Sequence, residues 1–402
     1  MKLSKKLLSL VLTAILVLSL GACGSKADNT GNAGNTAADE SGVKYGIAAD
    51  TVDDAANATD TAANNGGDES GKYEIALITD IGTIDDKSFN QGAWEGVEAY
   101  AKANSLTYKY YKPTEKSDDA YLVSIDLAVK AGAKIIVCPG YLFEVPVHTA
   151  QTKYPDVNFI ILDGVPHTAE DYNPDIAKNT YSIFYAEEEA GFLAGYAIVK
   201  EGYTKLGFMG GVAVPAVIRY GYGFIQGADY AAKELGLSDD AVQVQYTYVG
   251  NFDATPDNQA KAAAWYNEGT EVIFACGGAV GNSVMKAAET AGKKVIGVDV
   301  DQSSESDTVI TSSMKNLSKS VTDALTSIYS NNFPGGTTAA LNAGSEGVQL
   351  PMASSKFTKF TQADYDAIYA KIVDKEITIG NDSVATDAKG VPADKVTVNV
   401  VQ

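Results

Sequence analysis

Basic residues are scarce in this chain. Its 402 residues hold 31 Lys and Arg against 51 Asp and Glu, a formal charge of −20. A nucleic-acid partner needs clustered basic side chains to neutralise phosphates, and no segment supplies them, so nucleic-acid binding is excluded. A neutral or cationic small ligand suits the balance better. Histidine is rarer still: His148 and His167 are the only two, both in loop-like surroundings and read as surface residues. There are three cysteines, and Cys138 and Cys276 each end an apolar run. The pattern offers no His, Cys or Ser constellation for nucleophilic catalysis. The two internal cysteines read as buried free thiols, the alternative being one bridge between distant units. Large apolar side chains are sparse from Gly24 to Lys72, a stretch rich in Ala, Asn, Asp, Gly and Thr. Such a segment cannot bury enough surface to offset its ordering entropy, and is expected to be a disordered tether with a reach of ~40 Å.

What remains is ample: 45% hydrophobic content over this length can build two cores. The first residues combine a basic start (Lys2, Lys5, Lys6), an apolar run from Leu7 to Leu20, and small residues before Cys23, the layout of an export signal. That run is shorter than the ~20 residues a spanning helix needs. Leu20-Gly21-Ala22-Cys23 resembles a bacterial lipobox, in which the cysteine takes on lipid, such as palmitate, and becomes the new N-terminus. An uncleaved anchor and an ordinary secretory signal are the alternatives. The expected layout is a lipoprotein signal over 1–22, lipidated Cys23 and a tether through 72, and a folded part over 73–402 held at the cell membrane on its extracytoplasmic face.

From Tyr73 onward, short apolar runs alternate with helical patterns, as in a parallel α/β sheet. EIALITD, AKIIVCPG and NFIILDG make one set of strand candidates; KLGFMGG, EVIFACGG and KVIGVDV make another. AGAKIIVCPGYL and EGTEVIFACGGAV match in pattern, and NFIILDG and KVIGVDV each end in an acid, Asp163 and Asp299. The same unit occurs twice. The fold expected is α/β: two doubly wound parallel-sheet lobes joined by a hinge, the type I periplasmic-binding-protein arrangement. The first lobe covers about 73–185 plus a return segment near 302–330, and the second about 203–301 plus C-terminal segments. YAEEEAGFLAGYAIVKEGYT, with Ala190, Leu193, Ala194, Ala197 and Ile198 at helical spacing, is read as a helix near the crossing. Ligands of open α/β sheets bind beyond the carboxyl ends of the strands, and two facing sheets aim those ends at one cleft.

One stretch at such an end carries chemistry: ITDIGTIDDKSFNQGAWEG. Ser88 and Gln91 have capping-box spacing and start a helix whose buried stripe is Trp94, Val97 and Ala101. Phe89 and Asn90 then lie in the first turn at the cleft. Asp85 and Asp86 read as partners of the helix dipole, and Asp80 stands open between turn residue and ligand contact. A phenylalanine face and an amide suit a planar heterocycle, with stacking contributing about 1–3 kcal/mol per base. DIGTIDD lacks the periodicity of a calcium-binding loop, so no metal is expected, and nothing calls for a cofactor.

These motifs, with YAEEEAGFLAGYA, the glycine pair of FACGG and VIGVDVDQ, closely resemble the basic membrane protein family of nucleoside-binding lipoproteins, the purine nucleoside receptor A type. The resemblance spans Tyr73 to the C-terminus with the motifs in order. It implies a monomeric, lipid-anchored receptor, not an enzyme, that delivers nucleosides to an ABC permease. By this resemblance Phe89 and Asn90 touch the base, Phe252 of GNFDATPD closes an aromatic sandwich, and Gly277 and Gly278 line the site. Asp163, Asp299, Asp301 and Lys315 complete it. Ionised carboxylates accept strongly from vicinal ribose hydroxyls, which agrees with that transfer. A sugar receptor and a nucleoside hydrolase working through acids alone are the competing readings.

Overall fold

A computed structural model of the chain describes residues 72–401. The leader, Cys23 and all but the last residue of the expected tether lie outside the described residues. In the first part of the chain, β1 (Ile75–Ile78), α1 (Phe89–Ala103), β2 (Tyr108–Tyr111), α2 (Asp118–Lys130), β3 (Ile135–Pro139), α3 (Glu144–Lys153), β4 (Asn158–Leu162) and β5 (Thr180–Tyr185) follow one another. After α4 (Glu187–Glu201) the pattern repeats with β6 (Lys205–Gly210), α5 (Pro215–Glu234), β7 (Val242–Tyr248), α6 (Pro256–Asn267), β8 (Val272–Cys276), α7 (Val280–Ala291), β9 (Lys294–Asp299) and β10 (Val309–Lys315). The chain closes with α8 (Leu317–Tyr329), β11 (Thr337–Leu341), β12 (Val348–Gln349), α9 (Gln362–Val373) and β13 (Val396–Val400).

Two sheets result, in the orders β11-β5-β4-β3-β1-β2 and β12-β10-β9-β8-β6-β7-β13. All neighbours run parallel except β12, which is antiparallel to β10. Both sheets contain the doubly wound order 2-1-3-4-5, so each reverses its strand order beside its first strand, next to β1 and next to β6. The central strands are uninterrupted apolar runs, such as IIVCP and VIFAC, because helices cover both of their faces.

Each sheet has an outer core of its own. Ile136, Phe159 and Ile161 pack with Ile125 and Val147 in the first lobe, and Ile273 and Val295 pack with Trp265 and Val284 in the second. A third core runs through both lobes and includes α1, α4, α5 and α8. Helix α4 is buried nearly all round and lies against α5. Four glycines set that approach: a Cβ on Gly191, Gly195, Gly223 or Gly227 would fall 2.0–2.1 Å from a backbone oxygen of the opposite helix. The two helices therefore touch backbone to backbone, fixing the segment that leads from one lobe to the other.

The expected return at 302–330 needs correction. Residues 309–315 stay in the second lobe as β10, paired with β9, and only α8 and β11 return to the first lobe, α8 on α1 and β11 beside β5. The apolar run VITSS fits the buried edge of the second sheet, and the crossing falls after Lys315. The two histidines are also placed differently from expectation. His148 lies within α3, and His167 is 6% exposed, its ring tilted against Tyr172 with centroids 5.0 Å apart and its Nε2 3.3 Å from Glu144. Cys138 and Cys276 are buried free thiols.

Candidate functional site

A cavity of about 460 Å³ opens at the carboxyl ends of the strands of both sheets. The first lobe contributes Asp80, Phe89, Asn90 and Asp163; the second contributes Phe252, Gly277, Gly278, Asp299 and Lys315. Nine of the ten ligand contacts anticipated from sequence thus meet in one place. The tenth, Asp301, does not. Its carboxylate accepts from the Ser303 amide at 3.0 Å and from Ser354 Oγ at 2.5 Å, which turns it away from the cavity into the loop after β9.

The start of α1 is built differently from the capping box read in the sequence. Ser88 makes no cap bond; Asp86 supplies it, its carboxylate accepting from the amides of Ser88, Asn90 and Gln91 at 2.8, 3.1 and 3.1 Å. Gln91 Oε1 accepts from the Lys87 amide instead of the Ser88 amide. Asp85, by contrast, is exposed. Burial pushes the Asp86 carboxyl up to about 6, against the hydrogen bonds from Asn90, Ser88 and Gln91 that pull it down.

Asn90 is held by the same acids. Its Nδ2 donates to Asp80 Oδ1 and Asp86 Oδ2, both at 2.9 Å, and its Oδ1 accepts from the Asp80 amide at 3.3 Å. Both N–H donors are committed, so only a carbonyl lone pair is left for a ligand. Gly82 is required beside this unit, because a Cβ there would fall 2.4 Å from Asn90 Nδ2. Asp80, whose Oδ1 also accepts from the Gly82 amide at 2.8 Å, is raised above the usual carboxylate range by burial.

The two duplicated acids carry the same backbone signature. Asp163 directly follows β4 and Asp299 ends β9, with φ of 53° and 65°, the left-handed region that a non-glycine residue seldom adopts. Strain of this kind concentrates where a side chain must be aimed, and both carboxyls line the cavity. Between them sits Lys315, 3% exposed. Its ammonium bonds Asp163 and lies 2.9 Å from Glu187 Oε1, with the rings of Phe89, Tyr185 and Tyr220 at 5.0, 5.2 and 5.5 Å. Burial works against this charge, but the carboxylates of Asp163, Glu187 and Asp299 outweigh it and hold the lysine above its ordinary value. Three acids share one ammonium. Burial raises Asp163 to about 7 despite Lys315, with Glu187 and Asp299 adding to the rise, and Asp299 is raised for the same reason. Asp163 Oδ1 has no hydrogen-bond partner among the described residues.

Sequence reasoning missed several wall residues. Arg219, the only arginine in the chain, lines the cavity and binds Asp382 through Nε at 2.9 Å and Glu187 through Nη1 at 3.4 Å. Glu187 and Tyr220 stand behind Lys315 and Asp299. Glu187 is the first acid of the YAEEEAGFLAGYA motif, whose helical stripe marks only its apolar residues. Arg219 and Tyr220 lie in α5, whose many buried residues give no local signal of a site.

Two doubly wound lobes around such a cleft make a two-lobed small-molecule-binding architecture. Among solved structures, ABC transporter solute-binding proteins from Aeropyrum pernix K1 (TM-score 0.67, 20% identity, 79% of this chain and 98% of that one) and Conexibacter woesei DSM 14684 (TM-score 0.61, 22% identity, 77% and 99%) share the fold. The profile of Bmp, the PnrA-like ABC transporter substrate-binding proteins, matches residues 73–383. Basic membrane protein A of Borreliella afzelii is 30% identical over 319 residues, covering 77% of this chain and 92% of the relative. The ABC transporter nucleoside-binding protein BmpA of Lactococcus lactis subsp. cremoris (strain MG1363) is 29% identical over 332 residues, covering 76% and 88%. The chain belongs to the Bmp family of ABC transporter substrate-binding proteins. A member of that class binds a small molecule on the extracytoplasmic side and passes it to a membrane permease. No helix among the described residues is long and apolar enough to cross a membrane.

Proposed function

We propose that this chain is a monomeric, lipid-anchored nucleoside receptor, selective for purine nucleosides, that feeds an ABC importer and catalyses no reaction on its ligand. The observation that carries the reading is the composition of the cavity wall: Phe89 and Phe252 come from different lobes, and the same wall carries the strand-end acids Asp163 and Asp299. Two aromatic faces suit a base, and paired acids suit vicinal hydroxyls. A volume of about 460 Å³ falls within the range of small-molecule sites. Asp80, more than Asn90, is left to read the base edge, since the amide donors of Asn90 are committed. Phosphate is disfavoured by the acids, so the ligand is a nucleoside and not a nucleotide. Binding draws the lobes toward the closed form that a permease recognises. Cys23, with the preceding Leu-Gly-Ala, holds the receptor to the membrane, and Cys23→Ala should release it into the medium.

The test is calorimetric titration with inosine, guanosine, adenosine, cytidine, uridine, ribose and ATP. Nucleosides, purines foremost, should bind and ATP should not. Tight binding of ribose without any nucleoside would overturn the reading. Release of free base from inosine would make the protein a hydrolase.

A further inference from the structure

The two strand-end acids are each bonded by a group from the opposite lobe. Lys315, at the end of β10, reaches Asp163 in the first lobe. In return Ser88, at the start of α1, donates from Oγ to Asp299 Oδ2 at 2.5 Å in the second lobe. Ser88 is fully buried, and its hydroxyl plays no part in capping its own helix. Next to it Gln302, 1% exposed, donates to the Lys87 carbonyl at 2.6 Å, so the seam is tied at two successive residues. Among the described residues, the other oxygen of Asp299 has only Tyr220 OH, at 3.4 Å.

We propose that Ser88 is a positioning residue: by bonding Asp299 across the seam it fixes that carboxylate, ionised, for the ligand's hydroxyls, and so makes assembly of the hydroxyl site depend on apposition of the two lobes. The proposal rests on the nucleoside reading for its ligand, though not for its geometry. Asp299 needs an external anchor because its surroundings are mixed in sign. Lys315 on β10 favours its charge, Glu187 on α4 and Asp163 on β4 oppose it, and Tyr220 on α5 and Cys276 on β8 stand beside it. A hydroxyl donor from the facing lobe favours the ionised form and orients one oxygen, leaving the other directed at the cavity. A strained φ at Asp299 aims the side chain; Ser88 holds what the backbone aims.

The experiment compares wild type, Ser88→Ala and Ser88→Thr by inosine titration between pH 5.5 and 8.5. A second measurement, without ligand, follows the Asp299 carboxyl carbon by NMR on ¹³C-aspartate-labelled protein, assigned with Asp299→Asn. Ser88→Ala should bind about tenfold more weakly at pH 7.5, the worth of a hydrogen bond to a charged group, and its pH profile should move up by about one unit. Ser88→Thr should restore both. Unchanged affinity and profile overturn the proposal. So does weaker binding with an unmoved profile, a lower melting temperature and no rescue by threonine, the pattern of a purely structural role. If wild type binds no nucleoside, the ligand reading falls and the carboxyl titration decides alone: an upward shift in Ser88→Ala sustains the positioning role, and an unmoved carbon removes it.

Discussion

Lys315→Met isolates the charge balance of the site. The substitution keeps an unbranched side chain of similar length among the rings of Phe89, Tyr185 and Tyr220 and deletes only the ammonium. Asp163 and Asp299 then lose their counter-charge, and Glu187 keeps only Arg219, 3.4 Å away. Removing one partner of a buried ion pair costs about 3–5 kcal/mol, because the remaining charge stays desolvated. Over the roughly 330 described residues, an unfolding entropy of about 2.1 cal/mol/K per residue converts this to a melting temperature lower by about 4–7 °C. That loss belongs to pH 8, where the acids must be charged. A carboxyl raised in the folded state contributes stability that is present below its unfolded value and lost as pH rises through the folded one. Without the ammonium Asp163 and Asp299, already raised by burial, move further up, so less of the buried charge remains at pH 5 and the loss should shrink to about 2 °C. Scanning calorimetry of the unliganded variant at the two pH values is the assay. A variant that folds only at pH 5 is the same result in stronger form. An equal loss at both would refute the assignment of Lys315 as the counter-ion, leaving only lost packing.

Wild type should show a weaker version of that dependence. Burial holds Asp86 at about 6 and Asp163 and Glu188 at about 7, so unliganded stability should fall as pH rises from about 5 to 8, whereas Glu201 and Glu234, held low by their partners, should lower it below about 4.5; a melting temperature that climbs steadily to pH 8 would contradict this. Asn90→Ala leaves Asp80 and Asp86 without their shared donor, and should lower stability by about 2–3 kcal/mol and weaken all nucleosides alike. Altered base preference at unchanged melting temperature would restore the amide as the base reader. Gly223→Ala gains about 1 kcal/mol of helix propensity yet puts a methyl 2.0 Å from the Glu188 carbonyl, so soluble folded protein, measured by yield and circular dichroism, should be lost.

Much of the architecture could be read from pattern alone, because burial on both faces forces continuous apolar runs and the runs occur in two matching sets. The acids ending NFIILDG and KVIGVDV stood out for the same reason, and both reach the cavity. Local spacing was a poorer guide. Ser88 and Gln91 have capping-box spacing, yet a carboxylate two residues upstream outcompetes a hydroxyl for the helix amides, and Asp86 takes them. Asp301 sits two residues from Asp299, but the turn after β9 directs it to Ser354.

What the sequence determined by itself was therefore whatever periodicity and repetition encode: two lobes, a cleft at the strand ends, and the residue types that reach it from those ends. Only the tertiary structure decided which donor meets which acid. The partners in Ser88–Asp299 and Lys315–Asp163 stand 211 and 152 positions apart. No local pattern joins groups so distant. Their pairing is set by how two sheets face each other, and that orientation rests on the glycine contact of α4 with α5 and on the return of α8 to α1.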